Sequence, residues 1–207
     1  MNIIIRWMDI EQNNMPIIPL LSDYREEKLN TQSAAMRKRS LASEYLLRRC
    51  LEERGITPDG KLNITTNENG KPYLNVIPVF FNVSHSGNIV ACALSDCDIG
   101  LDVQKRSPYN PALAFKYFSK AELGRIEYSD DKDGVFTLLW ASKESYIKAM
   151  GSTLAQELKN AVIDLEPGEI ISCRGYKIYS LTVGDYIICC CPLTGDICSI
   201  DIKEITL

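Results

Sequence analysis

Residues 135–150 read VFTLLWASKESYIKAM, and this stretch decides the fold. Its apolar side chains recur with helical spacing and the run stops at Gly151, so it predicts a core helix from Val135 to Met150. Trp140, Glu144 and Lys148 follow one another at intervals of four residues and therefore share one helix face. An ordinary Glu–Lys pair with this spacing is a surface ion pair that contributes only about 0.3–0.5 kcal/mol. The indole one turn earlier favours a half-buried face instead.

Upstream of this helix, the run Ile99–Val103 predicts a strand with two different faces. Alternation puts its apolar side chains towards the core, whereas Gly100, Asp102 and Gln104 share the opposite face. We expect this second face to be solvated, with the glycine allowing a ligand to approach the backbone closely. The alternative is that Asp102 is an ordinary aspartate on the wet side of a hairpin strand.

The elements on either side of this strand indicate an internal repeat. A long helix is predicted at 34–53, ending at Gly55, and is followed by a hairpin of strands 79–83 and 89–94 with residues 84–88 as its loop. The second half repeats this order, with the core helix followed by strands 176–181 and 186–191. The pattern predicts an α+β fold of two pseudo-symmetric, duplicated halves, 1–104 and 105–207. Chance similarity between two hairpins is the alternative.

Composition excludes several classes of protein. The formal net charge of −4 over 207 residues argues against general nucleic-acid binding. No apolar run reaches the roughly eighteen residues of a membrane span, and the first residues lack the features of a secretory signal. We therefore expect a cytoplasmic protein without a membrane partner, whose eight cysteines are reduced core residues. Paired Cys-x-x-Cys spacing, typical of zinc sites, is missing.

A candidate anion site surrounds His85, the only histidine. Ser84, Ser86 and Gly87 around an imidazole supply hydroxyl and backbone N–H groups that suit a phosphate. Gly70-Lys71-Pro72 is a turn that offers a further cation. Each feature also has a simpler interpretation, as a turn without a functional role.

Taken in order, the motifs resemble those of one family. Residues 81–87 (FNVSHSG), 99–102 (IGLD) and 140–148 (WASKESYIK) are similar to the three signatures of the Sfp, or surfactin-synthetase-activating, type of 4′-phosphopantetheinyl transferases. Residues 118–122 (FSKAE) and 70–72 (GKP) resemble further family segments. The resemblance covers about Leu21 to Gly151. The chain length and the duplicated halves suit this type rather than the half-length trimeric carrier-protein synthases.

The resemblance implies an activity and its partners. Such enzymes transfer the 4′-phosphopantetheine arm of coenzyme A to a serine of an acyl, polyketide or peptidyl carrier protein, and release adenosine 3′,5′-bisphosphate. Attack of a hydroxyl on a pyrophosphate requires a hard cation, and the family uses Mg²⁺. The resemblance further implies a cytoplasmic monomer with its site between the two halves. Which kind of carrier is served stays open.

The resemblance also implies roles for individual residues. Asp102 and Glu144 would hold Mg²⁺, Lys148 would contact a phosphate, and Glu144 could also take the serine proton, directly or through water. The implied coenzyme A contacts are Ser84, His85, Arg25, Lys28 and Ser40 at the 3′-phosphate, and Gly70 and Lys71 on the adenine side.

One position departs from the family pattern. Many relatives carry a third acidic metal ligand two residues after the aspartate, where this chain has Gln104. A glutamine carbonyl can ligate Mg²⁺ or orient a bound water, but it adds no charge, so we expect weaker metal binding. A relative that binds coenzyme A without transferring anything is the alternative function. A non-enzymatic interaction protein with accidental motifs is a third.

Overall fold

The computed structural model describes residues 1–14, 22–23, 26, 29, 32–57, 60–75, 77–166, 170–196 and 198–207. The strands are β1 (Asn2–Asp9), β2 (Ile64–Thr66), β3 (Pro72–Leu74), β4 (Phe80–Ser86), β5 (Ile89–Ser95), β6 (Ile99–Lys105), β7 (Ile163–Glu166), β8 (Ile170–Cys173), β9 (Tyr176–Val183), β10 (Tyr186–Pro192) and β11 (Ser199–Glu204). The helices are α1 (Ala34–Glu53), α2 (Pro111–Tyr117), α3 (Lys120–Glu127), α4 (Lys132–Ala149) and α5 (Leu154–Glu157). Of these described helices, none has the length and apolar character needed to cross a bilayer.

The chain divides into two units, residues 1–97 with 196–207 and residues 98–195. The second unit begins with β6, because this strand pairs with β10 along its whole length. The last strand, β11, belongs to the first unit, where it runs parallel to β1. The observed division therefore differs from the predicted halves, 1–104 and 105–207, at residues 98–104 and 196–207.

The first unit contains a four-stranded sheet in the order β11–β1–β5–β4. Helix α1 begins after its N-cap Ser33 and ends just before Gly55, whose φ of +78° favours glycine, so both predicted helix bounds are confirmed. The buried core shared by helix and sheet includes Leu46, Leu47, Cys50, Phe81, Val90 and Cys92.

The second unit contains an antiparallel five-stranded sheet in the order β6–β10–β9–β8–β7, with α4 packed on one face. The predicted core helix is confirmed, although it starts three residues earlier, at Lys132 behind the N-cap Asp131. Its core includes Phe136, Leu139, Ile147, Ile178, Cys189 and Cys191. The cysteines act as small apolar residues, because all eight are free and all except Cys97 are buried.

The predicted repeat is visible in the strand order. In each unit a strand and a long helix precede a hairpin, and the second hairpin strand pairs antiparallel with the first strand, as β5 does with β1 and β10 with β6. Each hairpin turns at a glycine with positive φ, 52° at Gly87 and 53° at Gly184. This agreement confirms the duplicated α+β fold.

The loop of the first hairpin is shorter than predicted. Residues 84–86 continue β4, and Ser86 is paired with Ile89, so only Gly87 and Asn88 form the loop. A two-residue loop with a glycine matches the right-handed twist of the flanking strands, and this lets the ladder extend to its last pair. His85 therefore projects from a strand and not from a loop.

Gly100 explains how closely α4 lies against β6. A methyl group at this position would overlap the Ser145 carbonyl oxygen and the Ala149 amide of the helix. The face of β6 that carries Gly100 is thus covered by helix backbone, and both faces of the strand are buried as far as Val103. The expectation of a solvated face is wrong, because the missing Cβ makes room for α4 rather than for a ligand.

Gly100→Ala should therefore destabilise the second unit, by about 1–3 kcal/mol, because backbone atoms on both sides must move. Gly124→Ala is the matched control, since a methyl group there meets nothing nearby and alanine is the better helix former in α3. Urea unfolding of both variants gives the comparison. Equal stabilities would show that α4 can shift away from β6 at no cost.

Candidate active site

Three side chains of the second unit, Asp102, Glu144 and Lys148, form what we call the carboxylate–lysine cluster. The Lys148 Nζ lies 2.5 Å from Asp102 Oδ1 and 3.8 Å from Glu144 Oε2. The Asp102 side chain is only 2% exposed, whereas those of Glu144 and Lys148 are 13% and 32% exposed. The cluster is therefore buried at Asp102 on β6 and opens to solvent along the face of α4 that carries Glu144 and Lys148.

An aromatic group fixes the Glu144 carboxylate. The Trp140 Nε1–H donates a 2.6 Å hydrogen bond to Glu144 Oε1, one helical turn away. The indole is itself held by Tyr117, Phe118 and Phe136, with ring centroids 6.1–6.3 Å from its own. The half-buried helix face predicted from Trp140 is confirmed, and Oε2 is the oxygen that this bond leaves available.

Gln104 belongs to the same group of side chains. Its Nε2 donates to Asp102 Oδ2 at 3.0 Å, while Lys148 occupies Oδ1. Both oxygens of the buried aspartate are therefore hydrogen-bonded. The predicted shared face of Asp102 and Gln104 on β6 is confirmed.

Burial and charge act on the protonation of Glu144. Desolvation, followed by the nearby charge of Asp102, raises the pKa of Glu144 to about 7, against the opposing effect of Lys148. The carboxyl group is therefore poised to gain or lose a proton near neutral pH, as a general acid or base requires.

This shift predicts a stability change with pH. The unfolded chain releases the Glu144 proton near pH 4.5, but the folded protein keeps it until about pH 7. Folding stability is thus lost as pH rises across this window. Glu144→Gln, which stays neutral, should be more stable than the parent at pH 8 by about 1–3 kcal/mol.

Urea unfolding at pH 8 and pH 4.5, with a chelator present, measures this difference. Most of the gain should disappear at pH 4.5, where both forms of residue 144 are neutral in the folded protein. A gain that is independent of pH would show that the proton of Glu144 is not its cause.

The cluster has the donor set for one hard cation. Two carboxylates and an amide side chain meet there, and Mg²⁺ is usually held by one or two carboxylates together with waters and substrate phosphates. No group of three acidic, histidine or cysteine side chains suited to a metal occurs among the described residues. The site therefore suits a hydrated Mg²⁺ better than a metal enclosed by protein ligands. The protein oxygens would come from Asp102, Glu144 and the side-chain carbonyl of Gln104.

Lys143, although next to Glu144 in sequence, lies outside the cluster. Its Nζ is 2.8 Å from Glu122 Oε1, and the two side chains are 0% and 1% exposed. Glu122 also accepts hydrogen bonds from the backbone N–H groups of Ser119 and Ile163. Glu122 also forms the capping box of α3 with Ser119, and the sequence did not reveal its buried partner Lys143.

The first unit carries the candidate phosphate contacts. Ser84 is buried and His85 is exposed on β4, at the end that leads into the hairpin turn. Arg39 of α1 donates two hydrogen bonds to the Gly87 carbonyl of this turn, 2.9 and 3.2 Å long. Ser40, the next residue, donates to Gln32 Oε1 at 2.8 Å. The start of α1 and the hairpin that carries His85 are therefore held together.

The remaining candidates are placed separately. Gly70 takes a φ of +83° in the turn between β2 and β3, and Asn67 Oδ1 accepts the Lys71 N–H. Lys71 is buried, with its Nζ 5.4 Å from the centre of the Tyr73 ring. Arg25 and Lys28 lie outside the described residues.

Two family profiles match this chain. The profile of the 4′-phosphopantetheinyl transferase superfamily covers residues 98–191, which include the whole carboxylate–lysine cluster. A profile described as 4′-phosphopantetheinyl transferase, N-terminal, covers residues 6–97. The two matches meet at the boundary between the structural units. The chain belongs to the 4′-phosphopantetheinyl transferase superfamily.

Individual relatives agree with this placement. The chain is 32% identical over 130 residues to the 4′-phosphopantetheinyl transferase Sfp of Bacillus subtilis, covering 61% of this chain and 58% of that protein. It is 28% identical over 175 residues to a 4′-phosphopantetheinyl transferase of Aneurinibacillus migulanus, covering 81% and 73%. The alignments span only 54–58% of the length of three Bacillus relatives.

Proposed function

We propose that this protein transfers 4′-phosphopantetheine from coenzyme A to a serine of a carrier protein and releases adenosine 3′,5′-bisphosphate. The observation that carries the proposal is the carboxylate–lysine cluster, which lies inside the superfamily match at residues 98–191. Attack on a pyrophosphate requires a metal ion and a cationic side chain near the phosphates. The two carboxylates of the cluster can hold the metal ion, and its ammonium group can contact a phosphate.

We assign the cation site to Asp102 and Glu144, with Gln104 as a neutral third ligand. Bound Mg²⁺ would neutralise pyrophosphate charge. Without substrate, Lys148 lies next to both carboxylates and offsets their negative charge. With substrate present, the same ammonium group can donate to a phosphate oxygen instead. Its partial exposure gives the ammonium group the freedom for this exchange. Lys148 would then offset the negative charge that develops on the leaving group.

Glu144 is the proposed base for the serine hydroxyl. Trp140 holds Oε1, so Oε2 is the atom that would accept the proton. The raised pKa of Glu144, about 7, suits a group that must take up a proton near neutral pH.

The first unit is assigned to the nucleotide part of coenzyme A. Ser84, His85 and Ser40, with Arg25 and Lys28, would bind the 3′-phosphate, and Gly70 and Lys71 the adenine side. Support comes from the contact of Arg39 with the Gly87 carbonyl, which holds the helix turn of Ser40 against the hairpin of His85.

The carrier is expected to dock near α2 of the second unit. Phe115 is 74% exposed there, and Lys116 and Lys120 are exposed cations that suit an acidic carrier helix. We further propose that the enzyme works as a monomer in the cytoplasm, without a membrane or nucleic-acid partner.

Intact-mass spectrometry tests the function directly. The protein is incubated with coenzyme A, Mg²⁺ and a panel of acyl, polyketide and peptidyl carriers, and each carrier should gain the mass of one phosphopantetheine if it is a substrate. Coenzyme A binding without any mass gain across the panel would support the alternative, a non-transferring relative. Repeating the assay with a chelator tests the Mg²⁺ requirement.

Gln104→Glu tests the cation assignment. A third carboxylate beside Asp102 adds about 4 kcal/mol of attraction for a cation 4 Å away at an effective dielectric of 20, before desolvation and carboxylate repulsion are subtracted. We expect the Mg²⁺ concentration for half-maximal rate to fall about tenfold, with turnover at saturating Mg²⁺ changing less. Gln156→Glu adds the same charge on exposed α5 and is the control. Superimposable Mg²⁺ titrations of the two variants would place Gln104 outside the cation site.

A further inference from the structure

A groove of about 630 Å³ lies between the sheet of the second unit and its helices. Its lining includes Arg125 of α3, Val135 and Leu138 of α4, and Ser180, Thr182 and Ile187 of the sheet. This volume is in the range of small-molecule sites, about 300–1,000 Å³. The lining includes none of the three cluster side chains, and Ser180 is two strands away from Asp102, about 10 Å at normal strand spacing.

The floor of the groove is unusual for its position. Ser180 pairs with Cys189, whose sulfur contacts Ser142 of α4, so these residues share the helix-covered face of the sheet. Such a face is normally filled by apolar side chains. Here Ser180 and Thr182 remain exposed beneath the helices, and among the described residues their hydroxyl groups make no hydrogen bond. These two hydroxyls are therefore available to a ligand.

The two ends of the groove differ in charge. At one end Arg106 forms an ion pair with Asp131, and Asp185 lies next to Arg106, whose backbone N–H donates to the Asp185 carbonyl. At the other end Arg125 donates one hydrogen bond, to the Leu165 carbonyl, and has no acidic partner among the described residues. A guanidinium group has five donors, so Arg125 can bind a carboxylate in addition.

The chemistry of the lining defines a ligand class. We infer that the groove binds a small organic monocarboxylate, with the carboxylate at Arg125 and an apolar body along Leu165, Ile171 and Leu138. Ser180 and Thr182 would supply further hydrogen bonds. A polyanion such as a phosphate ester suits the groove less well, because Asp131 and Asp185 line the opposite end.

Titration calorimetry on the full chain tests the inference with octanoate as the probe. Octanoate should bind with a dissociation constant of about 1 mM or tighter. Octanol, which lacks the charge, should bind at least tenfold more weakly, since a hydrogen bond to a charged group contributes about 1.5–3 kcal/mol. Equal binding of octanoate and octanol, or tighter binding of octylamine, would overturn the assignment.

Variants of the groove locate the carboxylate. Arg125→Ala should weaken octanoate at least tenfold and leave octanol unchanged, whereas Arg174→Ala, which removes an exposed arginine elsewhere in this unit, should change neither. Thr182→Val keeps the side-chain shape and should weaken octanoate severalfold. Octanoate should also bind in the presence of saturating coenzyme A. Displacement by coenzyme A, or equal affinities in the two arginine variants, would place octanoate outside the groove.

Discussion

Asp102→Asn is expected to lower the rate of carrier modification by about 10²–10⁴-fold while the protein stays folded. The substitution keeps the shape of the side chain but removes one of the two carboxylates proposed to hold the cation. It also removes the charge that pairs with Lys148 at 2.5 Å. Asparagine is the informative replacement, because alanine at this buried position would also leave a cavity. Turnover is measured by intact mass at saturating coenzyme A and Mg²⁺, and folding by near-ultraviolet circular dichroism.

Asp130→Asn provides the control for this loss. Asp130 is an exposed aspartate of the same unit, so its neutralisation should leave the rate within about twofold of the parent. A folded Asp102→Asn protein that keeps near-normal turnover would remove Asp102 from the mechanism. The result also bears on Glu144, because loss of the Asp102 charge should lower the pKa of Glu144 and shift the pH profile of any residual activity downwards.

Lys143→Met should destabilise the second unit by about 3–5 kcal/mol, the usual cost of leaving one member of a buried ion pair without its partner. Lys143 and Glu122 are both essentially inaccessible to solvent, and the Lys143 Nζ also donates to the Ala161 carbonyl. A loss of this size is a large share of the 5–15 kcal/mol typical of folded domains. Urea or thermal unfolding measures the change.

The matched control is Lys132→Met, which removes an exposed lysine that pairs with Glu127. Surface pairs of this kind contribute at most about 1 kcal/mol. Adding Glu122→Gln to Lys143→Met should restore part of the loss, because the glutamine oxygen can still accept the Ser119 or Ile163 N–H without leaving a buried charge. A loss below 1 kcal/mol for Lys143→Met would contradict the burial of this pair.

Helix bounds and the residues that share a face could be predicted where the sequence carries a local signal, such as a capping glycine or regular spacing. The end of α1 follows from Gly55, and the helical spacing of residues 135–150 defines α4 to within a few residues. The shared face of Trp140, Glu144 and Lys148 follows from the same spacing. Alternation along β6 also places Gln104 beside Asp102.

The remaining features depend on contacts that are distant in sequence. A glycine at position 100 is compatible with the close approach of either a ligand or a helix, and the sequence does not distinguish them. The packing of α4 against β6 shows that it is a helix. Lys143 and Glu144 are neighbours in the chain, but helical geometry turns Lys143 towards Glu122 and away from the cluster. The unit boundary before β6 likewise depends on pairing with β10, more than eighty residues later.

The position of β11 means that the sheet of the first unit is completed by a strand made long after its other described strands. The first unit lacks its outer strand until residues 199–204 have left the ribosome, although all of its other described strands are made before residue 98. Until then the edge of β1 is unpaired, and Arg6, which is buried and contacts both Glu53 and Asp201, lacks its second acidic partner. The second unit is continuous in sequence and carries no such delay. An emerging chain would therefore complete the sheet of the second unit before that of the first, and a fragment that ends at residue 195 would expose a strand edge open to aggregation.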